Sequence, residues 1–171
     1  RSEISFDGGN IWKQLFGNKT LRGGELTVFR DTASGSRIAL SFNGRYSWGE
    51  FYSGTRNESV VNLTLRARPG YIVYMTGEWN TITLREGSFR TQLYRVVGEA
   101  QFTPRLTWVQ NVQFDTQTSV LGWQSRFRWI LKPGNDLYVV YTHNWQDDPL
   151  LDRFVTTDKR IASKLLYTHR F

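Results

Sequence analysis

At 171 residues with no cysteine, the chain has the length of one domain and holds neither a disulfide framework nor a thiolate metal site. Lysine and arginine outnumber the acids 22 to 15, and the net charge of +7 suits an anionic partner such as nucleic acid or acidic lipid. No run approaches the roughly 20 apolar residues of a membrane-spanning helix, and mean hydropathy is −0.47. Neither observation excludes a transmembrane β-barrel, whose lipid-facing residues are diluted by alternation.

Residues 1–36 read as extra strands or as loop. Residues 3–7 and 25–30 have strand character, the latter with Leu26 and Val28 on one face, while residues 10–16 are a strand extension, a loop anchor or a short plug. A start at Arg1 with no signal peptide is expected of a processed or excised piece.

From residue 37 the chain alternates with period 2 in segments of about a dozen residues, a strand pattern with no competing helical period. Residues 37–48 set Ile38, Leu40, Phe42, Gly44, Tyr46 and Trp48 against Arg37, Ala39, Ser41, Asn43, Arg45 and Ser47. Residues 57–68 set Val61, Leu63, Leu65 and Ala67 against Asn62, Thr64, Arg66 and Arg68, and residues 71–84 set Tyr71, Val73, Met75 and Trp79 against Tyr74, Thr76, Glu78 and Asn80. Residues 88–103 oppose Tyr94, Val96, Gly98, Ala100 and Phe102 to Arg95, Val97, Glu99 and Gln101, and residues 105–116 oppose Leu106, Trp108, Val112 and Phe114 to Thr107, Asn111, Gln113 and Asp115. Residues 120–132 oppose Leu121, Trp123, Phe127, Trp129 and Leu131 to Gln124, Arg126 and Arg128; residues 136–145 and 160–171 complete eight consecutive strands.

The last segment alternates up to the terminus, with Ser163, Leu165, Tyr167, His169 and Phe171 opposite Lys164, Leu166, Thr168 and Arg170. Termini usually fray in polar sequence; a closing barrel strand must instead pair with the first strand so that no edge stays unsatisfied in lipid. With no room for crossover helices, the connections are hairpins. Strands twice the usual 5 to 6 residues argue against a soluble sandwich and match the roughly 9 to 11 residues that cross a bilayer at a tilt.

Counting back from Phe171 as the periplasmic rim, the turns at 132–136, 103–105, 68–70 and 31–37 fall on the periplasmic side and hold three of the four prolines. The opposite side receives 53–56, 85–87 and the longest connection, 146–159, with Pro149. On the apolar face Trp48, Trp79, Trp123 and Trp145 gather toward the outside, and Tyr71, Phe102, Trp108, Trp129, Tyr167 and Phe171 toward the periplasm, the two bands of an interfacial girdle. The expected fold is thus all-β, an antiparallel up-and-down transmembrane β-barrel of eight or ten strands, or the C-terminal part of a larger barrel, forming a single domain.

Residues 46–55 (YSWGEFYSGT), residues 126–141 (RFRWILKPGNDLYVVY) and the closing strand resemble the uncharacterised C-terminal outer-membrane barrel domain that follows a carbohydrate-binding, family-nine-like module in many Gram-negative bacteria. The resemblance covers residues 25–171 and is most specific at 132–136. It implies location and architecture, and no activity. Members of that family are longer, so the chain would be the last part of such a barrel. Leu165, Tyr167 and Phe171 would serve as the signal read by the barrel assembly machinery, and His169 departs from the hydrophobic or aromatic residue usual at its position.

The opposite, polar face carries Arg45, Arg66, Arg95, Arg126, Arg128, Lys164 and Arg170 against Glu78, Glu99 and Asp115. These lumen-facing residues make either a basic lumen that favours anions or, in a barrel just wide enough for its own side chains, a plug of mutual salt bridges. Asp147, Asp148 and Asp152 have no EF-hand spacing and are more simply solvated than Ca²⁺-binding. His143 and His169 lie on positions unsuited to a shared zinc site or triad. Glu78, Glu99 and Asp115 are weak candidates for paired glycosidase carboxylates. The sequons at Asn18, Asn57 and Asn62 carry little weight, since Asn62 would face the lumen.

No cofactor, metal or catalysis is expected. The reading is a monomeric outer-membrane protein of a Gram-negative bacterium with a structural or transport role, partnered by lipid, lipopolysaccharide and the assembly machinery. The alternative is a soluble basic β-barrel or sandwich that binds nucleic acid or a small ligand by stacking. Segregation of the basic and aromatic residues onto opposite faces speaks against nucleic acid.

Overall fold

The computed structural model describes the backbone of residues 3–16, 19–31 and 38–168 and the side chains of residues 28, 30 and 38–168. It is one antiparallel sheet of ten strands in sequence order, with no helix among the described residues. The strands are β1 (Glu3–Phe16), β2 (Lys19–Asp31), β3 (Ala39–Phe51), β4 (Gly54–Arg68), β5 (Tyr71–Leu84), β6 (Gly87–Thr103), β7 (Leu106–Asp115), β8 (Val120–Lys132), β9 (Asn135–Asp148) and β10 (Arg153–Leu166). The eight strands expected from residue 37 onward correspond to β3–β10. Residues 3–7 and 25–30 lie in β1 and β2, and residues 10–16 continue β1 past a register shift between Asp7 and Asn10, so they form neither a loop anchor nor a plug. Between β1 and β10 no pairing exists among the described residues, and the sheet is open.

Two further departures lie in the last hairpin: β10 ends at Leu166, with Tyr167 and Thr168 beyond it although the closing strand was expected over 160–171, and the β9–β10 connection is short. In place of a long loop over 146–159, β9 runs to Asp148 and β10 begins at Arg153, so the turn holds residues 149–152 alone. The segment Arg153-Phe-Val-Thr-Thr is aromatic and β-branched, which fits a pleated surface, and it pairs with β9 up to Arg153↔Asp148. A register shift between Thr156 and Asp158 absorbs one residue, which obscured the alternation.

Three tight turns stand at one end of the sheet, Pro69-Gly70, Pro104-Arg105 and Pro133-Gly134, while Pro149 sits at the other end. Gly70 and Gly134 have φ of 82° and 88°, and proline followed by a residue at positive φ is the type II pattern. Type II turns splay right-twisted strands. A register shift in the strand entering each of these turns, between Arg66 and Arg68, Gln101 and Thr103, and Ile130 and Lys132, restores the twist. The same end is laced by backbone bonds from Gln101 N to Gly70 O (2.7 Å) and from Ile130 N to Arg105 O (2.8 Å). Thr168 ties the chain beyond β10 to it, donating Oγ1 to Gly134 O at 3.0 Å and its N–H to Asn135 Oδ1 at 2.7 Å.

None of the described residues is buried, so the sheet has no second layer and no core of its own among them. Residues directly opposite in an antiparallel ladder point to the same face, and the register therefore fixes both faces across the strands.

Candidate functional site: the two faces of one sheet

The apolar face is continuous. Phe42, Leu63, Met75, Val96, Val112 and Trp123 are successive partners across β3–β8, and Leu40, Leu65, Val73 and Gly98 form the row beside them. Val96, in the middle of β6, is 43% exposed. Aromatic rings flank these rows. Toward the proline turns Tyr71 meets Phe102 edge-on at 6.2 Å and Phe102 stacks near Trp108 at 6.5 Å; toward the other end Tyr46 stacks on Trp48 at 5.5 Å and Trp79 meets Tyr94 at 5.8 Å. Trp129 and Tyr167 are exposed at the proline-turn end, and Trp145 lies at the opposite end.

Several polar groups on this face bond to one another. Gln110 and Ser125 are direct partners on β7 and β8. Trp123 Nε1 donates to Gln110 Oε1 (2.8 Å), Gln110 Nε2 donates to Ser125 Oγ (2.8 Å), and Trp108 Nε1 donates to the same hydroxyl (2.9 Å). Trp79 Nε1 donates to Tyr94 Oη at 3.0 Å. His143 stacks on Trp145 with centroids 3.7 Å apart, its ring nitrogens 3.0 Å from Tyr141 Oη and Thr156 Oγ1. The histidine is thus consumed by structure. The alternation pattern did not reveal this network, although Gln110 and Ser125, polar residues interrupting the apolar face on neighbouring strands, were its signal.

The register places Arg45, Arg66, Glu78, Arg95, Glu99, Asp115, Arg126, Arg128 and Lys164 together on the polar face. Arg170, His169 and Phe171 lie outside the described residues. Arg45 and Arg56 converge on Glu58 at 3.2 and 3.0 Å, and Arg128 pairs with Asp136 at 2.7 Å, so both acids in these pairs lie outside the sequence-derived set. Two of the expected acids, Glu78 and Asp115, meet neutral groups. Glu78 accepts from Asn80 Nδ2 at 2.8 Å, and Asp115 accepts from the Gln117 backbone N–H (2.8 Å) and Thr118 Oγ1 (3.2 Å), closing the β7–β8 turn.

Arg95 and Arg126 meet amides, donating to Asn111 Oδ1 at 3.0 Å and Gln124 Oε1 at 3.3 Å. Charge patterning alone does not mark these side-chain carboxamides as partners. Asp148 caps its own turn, accepting the Leu150 N–H at 2.9 Å, and no cluster of three metal-ligating side chains occurs among the described residues. Glu78 and Asp115 fall in one row with Leu93 between them, which at about 4.8 Å per strand separates their backbones by about 10 Å. Glu99 lies farther along β6 and joins neither.

No family model matches the sequence, and no curated protein matches it.

Proposed function

We propose that the chain is an integral outer-membrane β-barrel, or the C-terminal part of one, whose apolar face contacts lipid and whose polar face lines the lumen. The observation that carries this reading is a ten-stranded amphipathic layer whose apolar face has no protein cover among the described residues. An amphipathic sheet must bury its apolar face against something, and lipid is the cover that also explains why Trp108, Trp123, Gln110 and Ser125, in the midst of that face, bond to one another.

Strand length supports the same reading. A 14-residue strand is about 46 Å long and, tilted by about 45°, rises about 33 Å, enough for the roughly 30 Å hydrocarbon core. Aromatic residues at both ends of the apolar face, with Trp48, Trp79 and Trp145 at one and Trp129 and Tyr167 at the other, fit the two interfaces, while Trp108 and Trp123, expected in opposite bands, meet between them through Gln110 and Ser125.

Edge strand β10 exposes Ile161 (73%) and Leu165 (61%), and a long apolar edge invites aggregation unless a strand covers it. In this proposal the β10 edge is closed within the barrel, which has ten or more strands. Leu165, Tyr167 and Phe171 are the segment offered to the assembly machinery, and lipopolysaccharide contacts the outer band. The role is structural or transport-related and not catalytic; the likeness of residues 132–136 to the family-nine-linked barrel domains belongs to the same proposal.

The test is reconstitution into vesicles. The expected result is a monomeric, heat-modifiable species protected from protease, whose single-channel conductance separates an open lumen from a filled one. A chain that stays folded and monomeric in buffer without detergent contradicts the proposal and favours the soluble ligand-binding alternative.

A further inference from the structure

The polar face is dented at Gly122, and the register explains why. Gly122 of β8 stands between Gln113 of β7 and Asn144 of β9, so the middle of a row of long polar side chains is missing. The result is a depression of ≈ 310 Å³, within the size range of small-molecule sites. Asn111 and Gln124, neighbours across β7 and β8, border it on one side, and Asp115 and Thr142 complete its polar rim. A Cβ at residue 122 would lie 3.1 Å from Asn144 Oδ1, so even alanine narrows the floor.

The chemistry of the lining is specific. It contains four carboxamides, two threonine hydroxyls and one carboxylate, and no cation. Gln113, Thr142 and Asn144 make no side-chain hydrogen bond among the described residues. Arg95 and Arg126 stand behind Asn111 and Gln124 and bind their amide oxygens, which leaves the amide N–H groups of both free to donate. Amides and hydroxyls that donate and accept at once match vicinal hydroxyls, each of which also does both. Asp115 is the one charged side chain of the lining, and the guanidinium groups of Arg95 and Arg126 beside it are held by the amide oxygens of Asn111 and Gln124, which favours a neutral ligand over an anion.

We infer that the dent around Gly122 is a binding site for a neutral polyhydroxylated solute of the sugar class. The inference deepens the lumen reading and rests on it for its role, since a lumen brings solute past this face. The site itself is built by three adjacent strands.

Isothermal titration of the reconstituted chain with maltose, gluconate and sulfate tests it. Maltose is expected to bind saturably, with gluconate, a polyhydroxylated anion, and sulfate both weaker. Asn144→Ala and Gln113→Ala should each weaken maltose about tenfold, the loss of roughly one well-placed hydrogen bond, and Gly122→Val should remove binding. Asn62→Ala, on the same face but bonded to Thr76 Oγ1 at 3.0 Å, should leave it unchanged. Circular dichroism and heat-modifiability keep the comparison to folded variants. Absence of maltose binding by a properly inserted chain, tighter binding of either anion, or binding that survives Gly122→Val and Asn144→Ala overturns the site while leaving the membrane reading intact. A chain that refuses vesicles yet binds maltose in buffer with this variant pattern sinks the membrane reading and leaves the site standing.

Discussion

Trp123 donates its indole N–H to the side-chain oxygen of Gln110 at 2.8 Å, on the face whose central row is Phe42, Leu63, Met75, Val96 and Val112. In water neither group would need the other. In hydrocarbon each unpaired polar atom is costly, and the two residues, with Ser125 and Trp108, remove that cost locally. Replacing Gln110 by Leu should strand the Trp123 donor and destabilise the protein in lipid by about 1 kcal/mol, a typical membrane hydrogen-bond value. Adding Trp123→Phe should return part of the loss, and a double-mutant cycle from urea titrations in vesicles reads the coupling. Additive effects would show that the bond carries nothing.

Val96 and Gln101 lie on β6 on opposite faces, Val96 between Met75 and Val112 and Gln101 opposite Thr107. Val96→Arg puts a charge near mid-bilayer and should cost about 2 to 4 kcal/mol, whereas Gln101→Arg should change stability by less than about 0.5 kcal/mol, as surface substitutions usually do. Equal tolerance of the two arginines would reverse or abolish the assigned faces.

Gly70 and Gly98 separate backbone from packing. At Gly70, φ is 82° and an added Cβ would lie 2.9 Å from the Gln101 carbonyl oxygen, while at Gly98 the space is open. Gly70→Ala is expected to destabilise by about 1 to 2 kcal/mol, and Gly98→Ala to be neutral or stabilising by about 0.5 kcal/mol, because it removes unfolded-state freedom without strain. Chemical denaturation of the two variants side by side checks this ordering.

Glu58 serves two guanidinium groups, Arg45 at 3.2 Å and Arg56 at 3.0 Å, with its own side chain only 16% exposed. Both arginines are more than a third exposed, so the discount for solvent screening is large. Glu58→Gln should cost about 0.5 to 1 kcal/mol at physiological ionic strength, and the difference from wild type should shrink at 1 M salt. A cost unchanged by salt would mean that packing or hydrogen-bond geometry, and not charge, holds the cluster.

The fold was legible wherever alternation was uninterrupted. Residues 71–84 and 120–132 agree with β5 and β8 at both ends, because apolar and polar positions alternate and each strand is bounded by a proline-glycine pair or a short polar turn. It was least legible where one residue is absorbed by a bulge: the shift near Thr156 broke the period and made the start of β10 look like loop. At the candidate site, charge patterning showed which face is polar but not who pairs with whom. The pairing of Glu58 with Arg45 and of Asp136 with Arg128, like the dent at Gly122, depends on cross-strand register, which a single strand's alternation does not carry.

Placement of the apolar face against lipid is tested most directly by site-specific quenching, for which a chain without cysteine is already suited. Single cysteines at Val96 and Val112, and at the adjacent polar-face positions Val97 and Asn111, are labelled with a bimane probe in vesicles that carry brominated lipid. The account predicts strong lipid quenching at 96 and 112 with little effect of aqueous iodide, and weak lipid quenching at 97 and 111. Iodide reaching 96 and 112 as readily as 97 and 111, with no lipid quenching at any of the four, would contradict it.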